Sequence, residues 1–158
     1  MAKYTEIEGK CRKIVEDARN GVFAPVYLLM GGEPYYPDMV CDAIMKYALQ
    51  DDERDFNQAV YYGLDTDADA VASEARSYPM MAERRLVVLK EAQSMKTLEG
   101  LGVYAAEPMD TTVLVILMHG ASADKRKALY KNVSKKGIVL ESEPLRDYEM
   151  PGWITGFY

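Results

Sequence analysis

A chain of 158 residues has the usual size of one domain, and its 49% hydrophobic and 28% charged residues exclude wholesale disorder. The formal net charge of −6 argues against nucleic-acid binding driven by the charge of the whole chain, while a local basic patch stays compatible with it. The longest apolar run, 113–118, is too short to span a bilayer, and no apolar signal segment follows the first residues. We therefore expect no membrane segment and a cytoplasmic location.

Segments with helical periodicity alternate with short apolar runs along the chain. In chain order, the predicted elements are a helix at 5–20, a strand at 25–30, a helix at 34–50, a strand at 56–62, a helix at 67–77, a strand at 85–90, a helix at 97–106, a strand at 111–118, a helix at 124–136 and a strand at 138–140. Ser122 or Asp124 is the predicted N-cap of the last helix, and Gly137 is its predicted end. The apolar runs look like strands buried on both faces. The alternation therefore predicts an α/β fold with a mainly parallel five-stranded sheet flanked by helices.

Pro144 is the predicted boundary between two parts of the chain. We expect residues 1–143 to form the α/β domain. Residues 144–158, which contain the single tryptophan, Trp153, are too few to form a core of their own. We expect them to be the start of a truncated second domain.

The loop after the first predicted strand is the first place to look for a ligand, because open parallel sheets bind ligands beyond the carboxyl ends of their strands. A phosphate-binding loop has the pattern G-x-x-x-x-G-K-[ST], in which backbone N–H groups and the lysine hold phosphates. Residues 31–38 read GGEPYYPD and lack this lysine and its neighbouring hydroxyl in either register. We therefore predict a degenerate phosphate loop that binds no cofactor, formed by Gly31, Gly32, Tyr36, Pro37 and Asp38.

The other candidates for catalysis or metal binding stand alone in the sequence. Lys90 ends the third predicted strand, where a carboxylate would hold magnesium, and Glu91 by itself is a weak ligand. His119, the only histidine, shows no orienting partner and is interpreted as a loop residue. Cys11 and Cys41 lack activating neighbours and are interpreted as core residues. We predict no catalytic residue and no metal site.

Two methionines follow a proline between the third predicted helix and the third strand. The segment reads Tyr78-Pro79-Met80-Met81 and fits neither helical nor strand periodicity. One interpretation is that the methionines cap the core of the sheet. The other is an exposed apolar plug, since flexible methionine side chains suit insertion into a pocket of another protein.

Charge is distributed unevenly along the chain. The segment 51–74 has eight acids against one base, whereas 124–136 holds six bases, among them Lys125, Arg126, Lys127 and Lys131. A solvated helix face is the favoured interpretation of the basic segment, and a contact with DNA or an acidic partner is the alternative. Such an asymmetry can steer assembly but identifies no partner.

Three segments together resemble the delta subunit of the bacterial DNA polymerase III clamp loader. They are 25–35 (PVYLLMGGEPY), 80–90 (MMAERRLVVLK) and 123–139, which begins ADKRKALYK. In the family, the first typically reads PVYLLxGxEPYL, the second is an apolar pair with a charged turn and a strand, and the third reads DKRKKLYK…KKG. The resemblance implies a degenerate AAA+ module, similar to P-loop NTPases, in which neighbouring subunits bind the ATP.

The resemblance also implies a role in DNA replication. Delta subunits bind and open the beta sliding clamp, and they belong to a nucleotidyltransferase holoenzyme without catalysing a reaction themselves. The apolar pair that enters the clamp matches Met80 and Met81, flanked by Arg76, Tyr78 and Pro79. The best-known members have Leu-Phe at the pair and a glutamine at the position of Arg76.

Known delta subunits continue into lid and collar domains. These join the other loader subunits, delta prime and tau/gamma, and contact with DNA is indirect.

Two alternatives stay open beside this interpretation. One is a nucleotide-binding or hydrolysing enzyme with an atypical loop at Gly31–Asp38, and the other is a DNA-contacting module through Lys125–Lys136.

Overall fold

The computed structural model describes residues 2–31, 35–120 and 123–142. Its helices and strands alternate almost throughout. The helices are α1 (Ala2–Arg19), α2 (Tyr35–Tyr47), α3 (Arg54–Asn57), α4 (Ala68–Ala75), α5 (Glu99–Ala106) and α6 (Ala128–Lys136). The strands are β1 (Val26–Gly31), β2 (Gln58–Tyr62), β3 (Arg85–Lys90), β4 (Thr112–Leu117) and β5 (Ile138–Ser142).

The five strands form one sheet in the order β2-β3-β4-β1-β5. Every neighbouring pair is parallel; Leu28 of β1, for example, stands between Ile116 of β4 and Val139 of β5. All residues of β1 and β4 are buried, as their unbroken apolar runs require. The prediction of an α/β fold with a parallel five-stranded sheet flanked by helices is confirmed.

The sheet separates two apolar cores. Successive side chains of a strand point to opposite faces, so Val26, Leu28 and Met30 of β1 pack with α4, α5 and α6, whereas Tyr27 and Leu29 pack with α1 and α2. Helices therefore cover both faces of the central strands. Because the strands are parallel, their carboxyl ends lie on the same side of the sheet. The loops at the carboxyl ends and those at the amino ends both carry candidate sites.

The edge strand β2 differs from its prediction. The predicted strand began at 56, but Phe56 and Asn57 belong to the short helix α3. The prediction of burial on both faces is also wrong for β2, in which Val60 and Tyr62 are exposed. The physical reason is its position, because β2 pairs only with β3 and lies at the margin of the helical layers.

The last helix begins four residues later than predicted. The carboxylate of Asp124 accepts a hydrogen bond from the backbone N–H of Arg126 (2.9 Å), and the Lys127 N–H donates to the Asp124 carbonyl (3.0 Å). Asp124 therefore stabilises a turn instead of capping α6, whose N-cap is Lys127. The alternative cap, Ser122, lies outside the described residues. The predicted end at Gly137 is confirmed.

Some sequence predictions concern residues that the structure does not describe. The boundary at Pro144 and the segment 144–158 lie beyond Ser142, the last described residue. Among the residues that are described, no helix is both long enough and apolar enough to cross a membrane.

Candidate functional site

Met80 and Met81 occupy a solvent-facing turn between α4 and β3. Met80 is 59% exposed and Met81 is fully exposed, and neither belongs to an apolar core. Met81 has φ +57°, in the left-handed region that non-glycine residues rarely adopt. Large apolar side chains on a turn of this kind are typical of a surface that contacts another protein. We call residues 78–81 the Met turn.

Asn57 joins the Met turn to the end of α3. Its side-chain Nδ2 donates to the Met80 carbonyl (2.9 Å), and the Met80 N–H donates to Asn57 Oδ1 (2.6 Å). Nδ2 also donates to the Glu53 carbonyl (3.1 Å), so the amide, which is 1% exposed, uses its donors and its acceptor. Nothing in the sequence pattern indicates this contact, because a lone asparagine before a strand has many possible roles.

The two arginines that follow the Met turn connect it to the rest of the domain. Arg84 donates to the Ala48 carbonyl (3.0 Å) and lies over the ring of Phe23, 4.7 Å from its centre. Arg85 forms an ion pair with Glu74 of α4 and donates to the Phe56 carbonyl (3.0 Å). The strand after the turn is thus fixed to both neighbouring layers.

The residues predicted to flank the methionines lie beside them on the surface. Tyr78 is 75% exposed, and Pro79 is half-buried. Arg76 follows α4 as its C-cap, with its guanidinium 5.6 Å from the centre of the Tyr104 ring. The segment 76–81, which the resemblance assigns to clamp binding, is thus largely exposed and includes an aromatic and a cationic side chain.

The described residues of the predicted phosphate loop pack against the rest of the domain. Gly31 ends β1 at φ +124°, and a Cβ there would collide with the backbone of Ser142 in β5. Tyr36 and Pro37 are buried in the first turn of α2. Gly32 lies outside the described residues, and Asp38 contacts a histidine.

His119 bridges two carboxylates at the carboxyl ends of the strands. Its Nε2 is 2.6 Å from Asp38 Oδ1, and its Nδ1 contacts Glu91 Oε2. Its backbone N–H donates to Gln93 Oε1 (3.1 Å). His119 lies in the loop after β4, as predicted, but the expectation that it has no orienting partner is wrong. Its partners lie far away in sequence, so no local signal could have revealed them.

Burial and charge act in opposite directions on this imidazole. Partial burial disfavours the charged form, but the hydrogen bonds that the protonated ring donates to Asp38 and Glu91 outweigh this effect and raise the pKa of His119. Because each ring nitrogen already faces a carboxylate, neither is placed to accept a substrate proton or to bind a metal. No group of three or more acidic, cysteine or histidine side chains suited to a metal ion occurs among the described residues.

The basic segment is divided between a turn and a helix. Lys125 forms an ion pair with Glu141 (3.5 Å), and Arg126 forms one with Asp124 (3.1 Å). Lys127 is exposed at the start of α6, and Lys131 is exposed one turn further on. The basic side chains therefore do not form the continuous helical face that the sequence suggested.

Comparisons with known proteins agree with this fold. The model of the family described as DNA polymerase III, delta subunit, matches residues 27–143. DNA polymerase III subunit delta of Bacillus subtilis (strain 168) is 29% identical over 141 residues, which are 83% of this chain and 41% of that protein. This chain thus spans less than half the length of that curated relative.

Two solved structures are similar to this chain to different degrees. The Bacillus subtilis DNA clamp loader delta protein YqeN has a TM-score of 0.76 and 25% identity, over 92% of this chain and 46% of its own. A Thermotoga maritima RuvB mutant has a TM-score of 0.54 and 16% identity, over 96% of this chain and 49% of its own, which shows a shared fold alone. The fold is that of an AAA+-like module, and the chain belongs to the family of DNA polymerase III delta subunits.

Proposed function

We propose that this chain binds the beta sliding clamp through the Met turn and helps to open it during DNA replication. The observation that carries the proposal is the exposure of Met80 and Met81 on a turn fixed by Asn57 and Arg85, in a member of the delta subunit family. Exposure of apolar side chains to water is unfavourable, so a partner that covers both methionines gains the free energy of their burial.

Opening follows from differential binding. A ligand shifts an equilibrium only by the difference between its affinities for the two states. A Met turn that fits the clamp better when one ring interface is open would stabilise the open ring. No nucleotide is required for this step, so in this proposal the chain contributes binding and no catalysis, and it takes no cofactor.

The proposal gives the parts of the chain different tasks. Residues 1–143 form the clamp-binding domain, and residues 144–158 begin a second, lid domain. Delta prime and tau/gamma are contacted through the remainder of a longer delta subunit, and DNA is contacted indirectly. The chain is then a subunit of a nucleotidyltransferase holoenzyme.

The test is the affinity of the chain for the purified sliding clamp of the same source. Burying a methionine contributes about 1.5–3 kcal/mol, so the loss of both side chains in Met80→Ala with Met81→Ala should weaken binding by at least about 100-fold. Leu64→Ala is the matched control. It removes another large apolar side chain, 83% exposed, from the loop after β2, which lies at the carboxyl ends of the strands, whereas the Met turn precedes β3 at their amino ends.

Two results would contradict the proposal. One is unchanged clamp affinity in the double methionine variant. The other is an absence of clamp binding both by this chain and by a longer delta subunit that contains the Met turn. A fluorescence assay of ring opening, with labels on either side of one clamp interface, then tests whether binding also opens the ring.

The alternatives are supported by fewer contacts. Asp38 and Glu91 at the strand ends place negative charge where a nucleotide's phosphates would lie. Titration calorimetry with ATP and magnesium tests that alternative, and saturation in the micromolar range would favour it. Lys125 and Arg126 already pair with acids, and binding to primed duplex that falls steeply with salt would favour the DNA-contacting alternative.

A further inference from the structure

We propose that Asn57 is a positioning residue for clamp binding, which acts by holding the Met turn in the conformation that the clamp recognises. This inference rests on the proposed function of the Met turn. It assigns a role to a buried side chain that does not touch the partner.

The contacts of Asn57 are those of a short bridge between two segments. Its amide donates to the Met80 carbonyl (2.9 Å) and accepts from the Met80 N–H (2.6 Å), which imitates the paired hydrogen bonds of adjacent strands. The third hydrogen bond, to the Glu53 carbonyl, fixes the amide itself to the helix. Asn57 is 1% exposed and is one of three buried polar residues in the described part of the chain.

Arg84 and Arg85 anchor the strand that follows the Met turn, but the backbone of the turn itself has few other contacts. Residues 78–82 make no other main-chain hydrogen bond to the part of the chain that the structure describes. Met81 nevertheless occupies the left-handed region at φ +57°, which a non-glycine residue keeps only when its surroundings determine it. The bidentate contact with Asn57 at the preceding residue is the interaction best placed to do so.

The energetic consequence appears in the complex more than in the free protein. A turn that is already ordered binds without losing backbone freedom, whereas a loose turn must be ordered by the partner. Removal of the amide should therefore weaken clamp binding on the order of 10-fold while both methionines stay in place.

The experiment compares clamp affinities of four proteins: the wild type, Asn57→Ala, the double methionine variant, and the triple variant that combines them. We expect Asn57→Ala to weaken binding on the order of 10-fold alone and to add nothing in the double methionine background. Equal affinities of Asn57→Ala and the wild type would overturn the inference. So would additive losses in the triple variant, because they would place the effect of Asn57 outside the Met turn.

Asn132→Ala is the matched control for stability. Asn132 also donates from its side-chain amide to a backbone carbonyl, that of Gly102 (2.9 Å), but it lies between α6 and α5. Its loss should lower the free energy of unfolding and leave clamp affinity unchanged. A comparable fall in affinity in Asn132→Ala would mean that general destabilisation explains the effect of Asn57, and it would overturn the inference.

Amide hydrogen exchange of Met80 provides a measurement that needs no clamp. The Met80 N–H should be protected in the wild type and exchange faster in Asn57→Ala, and Asn57→Asp, which keeps the acceptor, should retain part of the protection. If the Met80 amide is unprotected in a wild-type chain that does bind the clamp, the positioning role is overturned and the proposed function is retained. If the Met80 amide is protected but neither the wild-type chain nor the longer delta subunit binds the clamp, the proposed function fails, and the positioning role in clamp binding fails with it.

Discussion

The backbone of Met81 allows stability and partner binding to be separated by one substitution. Met81 is fully exposed and adopts φ +57°. Met81→Gly removes a side chain that buries nothing in the free protein, and it also removes the Cβ that makes the left-handed conformation unfavourable. We expect a more stable domain that binds the clamp more weakly.

The size of the gain follows from two opposing contributions. A non-glycine residue in the left-handed region costs about 1–2 kcal/mol. Glycine loses more freedom on folding, which costs about 0.5–1 kcal/mol. The difference leaves Met81→Gly about 0.5–1 kcal/mol more stable than Met81→Ala, which keeps the Cβ. In a domain of this size, that corresponds to roughly 1–4 °C in Tm.

Urea and thermal unfolding of the two variants, side by side, measure this difference. Both should lose clamp affinity to a similar extent, because both lack the methionine side chain. A Met81→Gly domain that is less stable than Met81→Ala would refute the reasoning. It would show that the backbone at this position is not held in the left-handed region in solution.

Three further predictions concern other parts of the domain. The raised pKa of His119 means that its ion pairs with Asp38 and Glu91 stabilise the fold fully below the ordinary histidine pKa of 6.5, and that this contribution is lost as pH rises through the raised value. NMR titration of this single histidine should give a midpoint above 6.5, and a midpoint below 6.5 would contradict the bridge. The free energy of unfolding of His119→Gln should depend less on pH than that of the wild type between 6.5 and the raised pKa. Burial raises the pKa of the Cys41 thiol to about 12, so peptide mapping after iodoacetamide treatment at pH 8 should find it alkylated only in urea; rapid alkylation of the folded chain would contradict its burial. Asp67 caps α4 by accepting from the Ala70 N–H (2.8 Å), so Asp67→Ala should cost about 1 kcal/mol in urea unfolding and Asp67→Asn less; equal losses would argue against capping.

The central strands could be predicted because their signal is local. The continuous apolar runs of β1 and β4 are typical of short strands covered on both faces, and the structure buries every residue of both. Their alternation with amphipathic segments then leaves few arrangements other than a parallel sheet between helical layers. The exposed Met turn was one of two interpretations, and a sequence without coordinates could not separate a plug from a core cap.

The contacts that organise the candidate sites could not be predicted because they depend on strand order. The bridge joins three residues from separate parts of the chain: Asp38 in the first turn of α2, Glu91 after β3 and His119 after β4. They meet only because β3, β4 and β1 are neighbours in the sheet. The hydrogen bonds of Asn57 to Met80 likewise cross from α3 to the segment before β3. Asp124 illustrates a different limit, because an aspartate before a helical segment suits a turn as well as an N-cap.

The strand order also affects how the domain forms during synthesis. The pairing partners of β1 are β4 and β5, so Val26 cannot pair until Leu114 has been synthesised. More than half of the described chain lies between these two residues. At ribosomal rates of about 5–20 residues per second, this fully apolar strand stays unpaired for several seconds. During that interval, the nascent chain presents a hydrophobic segment with free backbone hydrogen-bonding groups. The sheet order therefore makes the first strand of the domain the segment most in need of protection from aggregation until the fourth strand emerges.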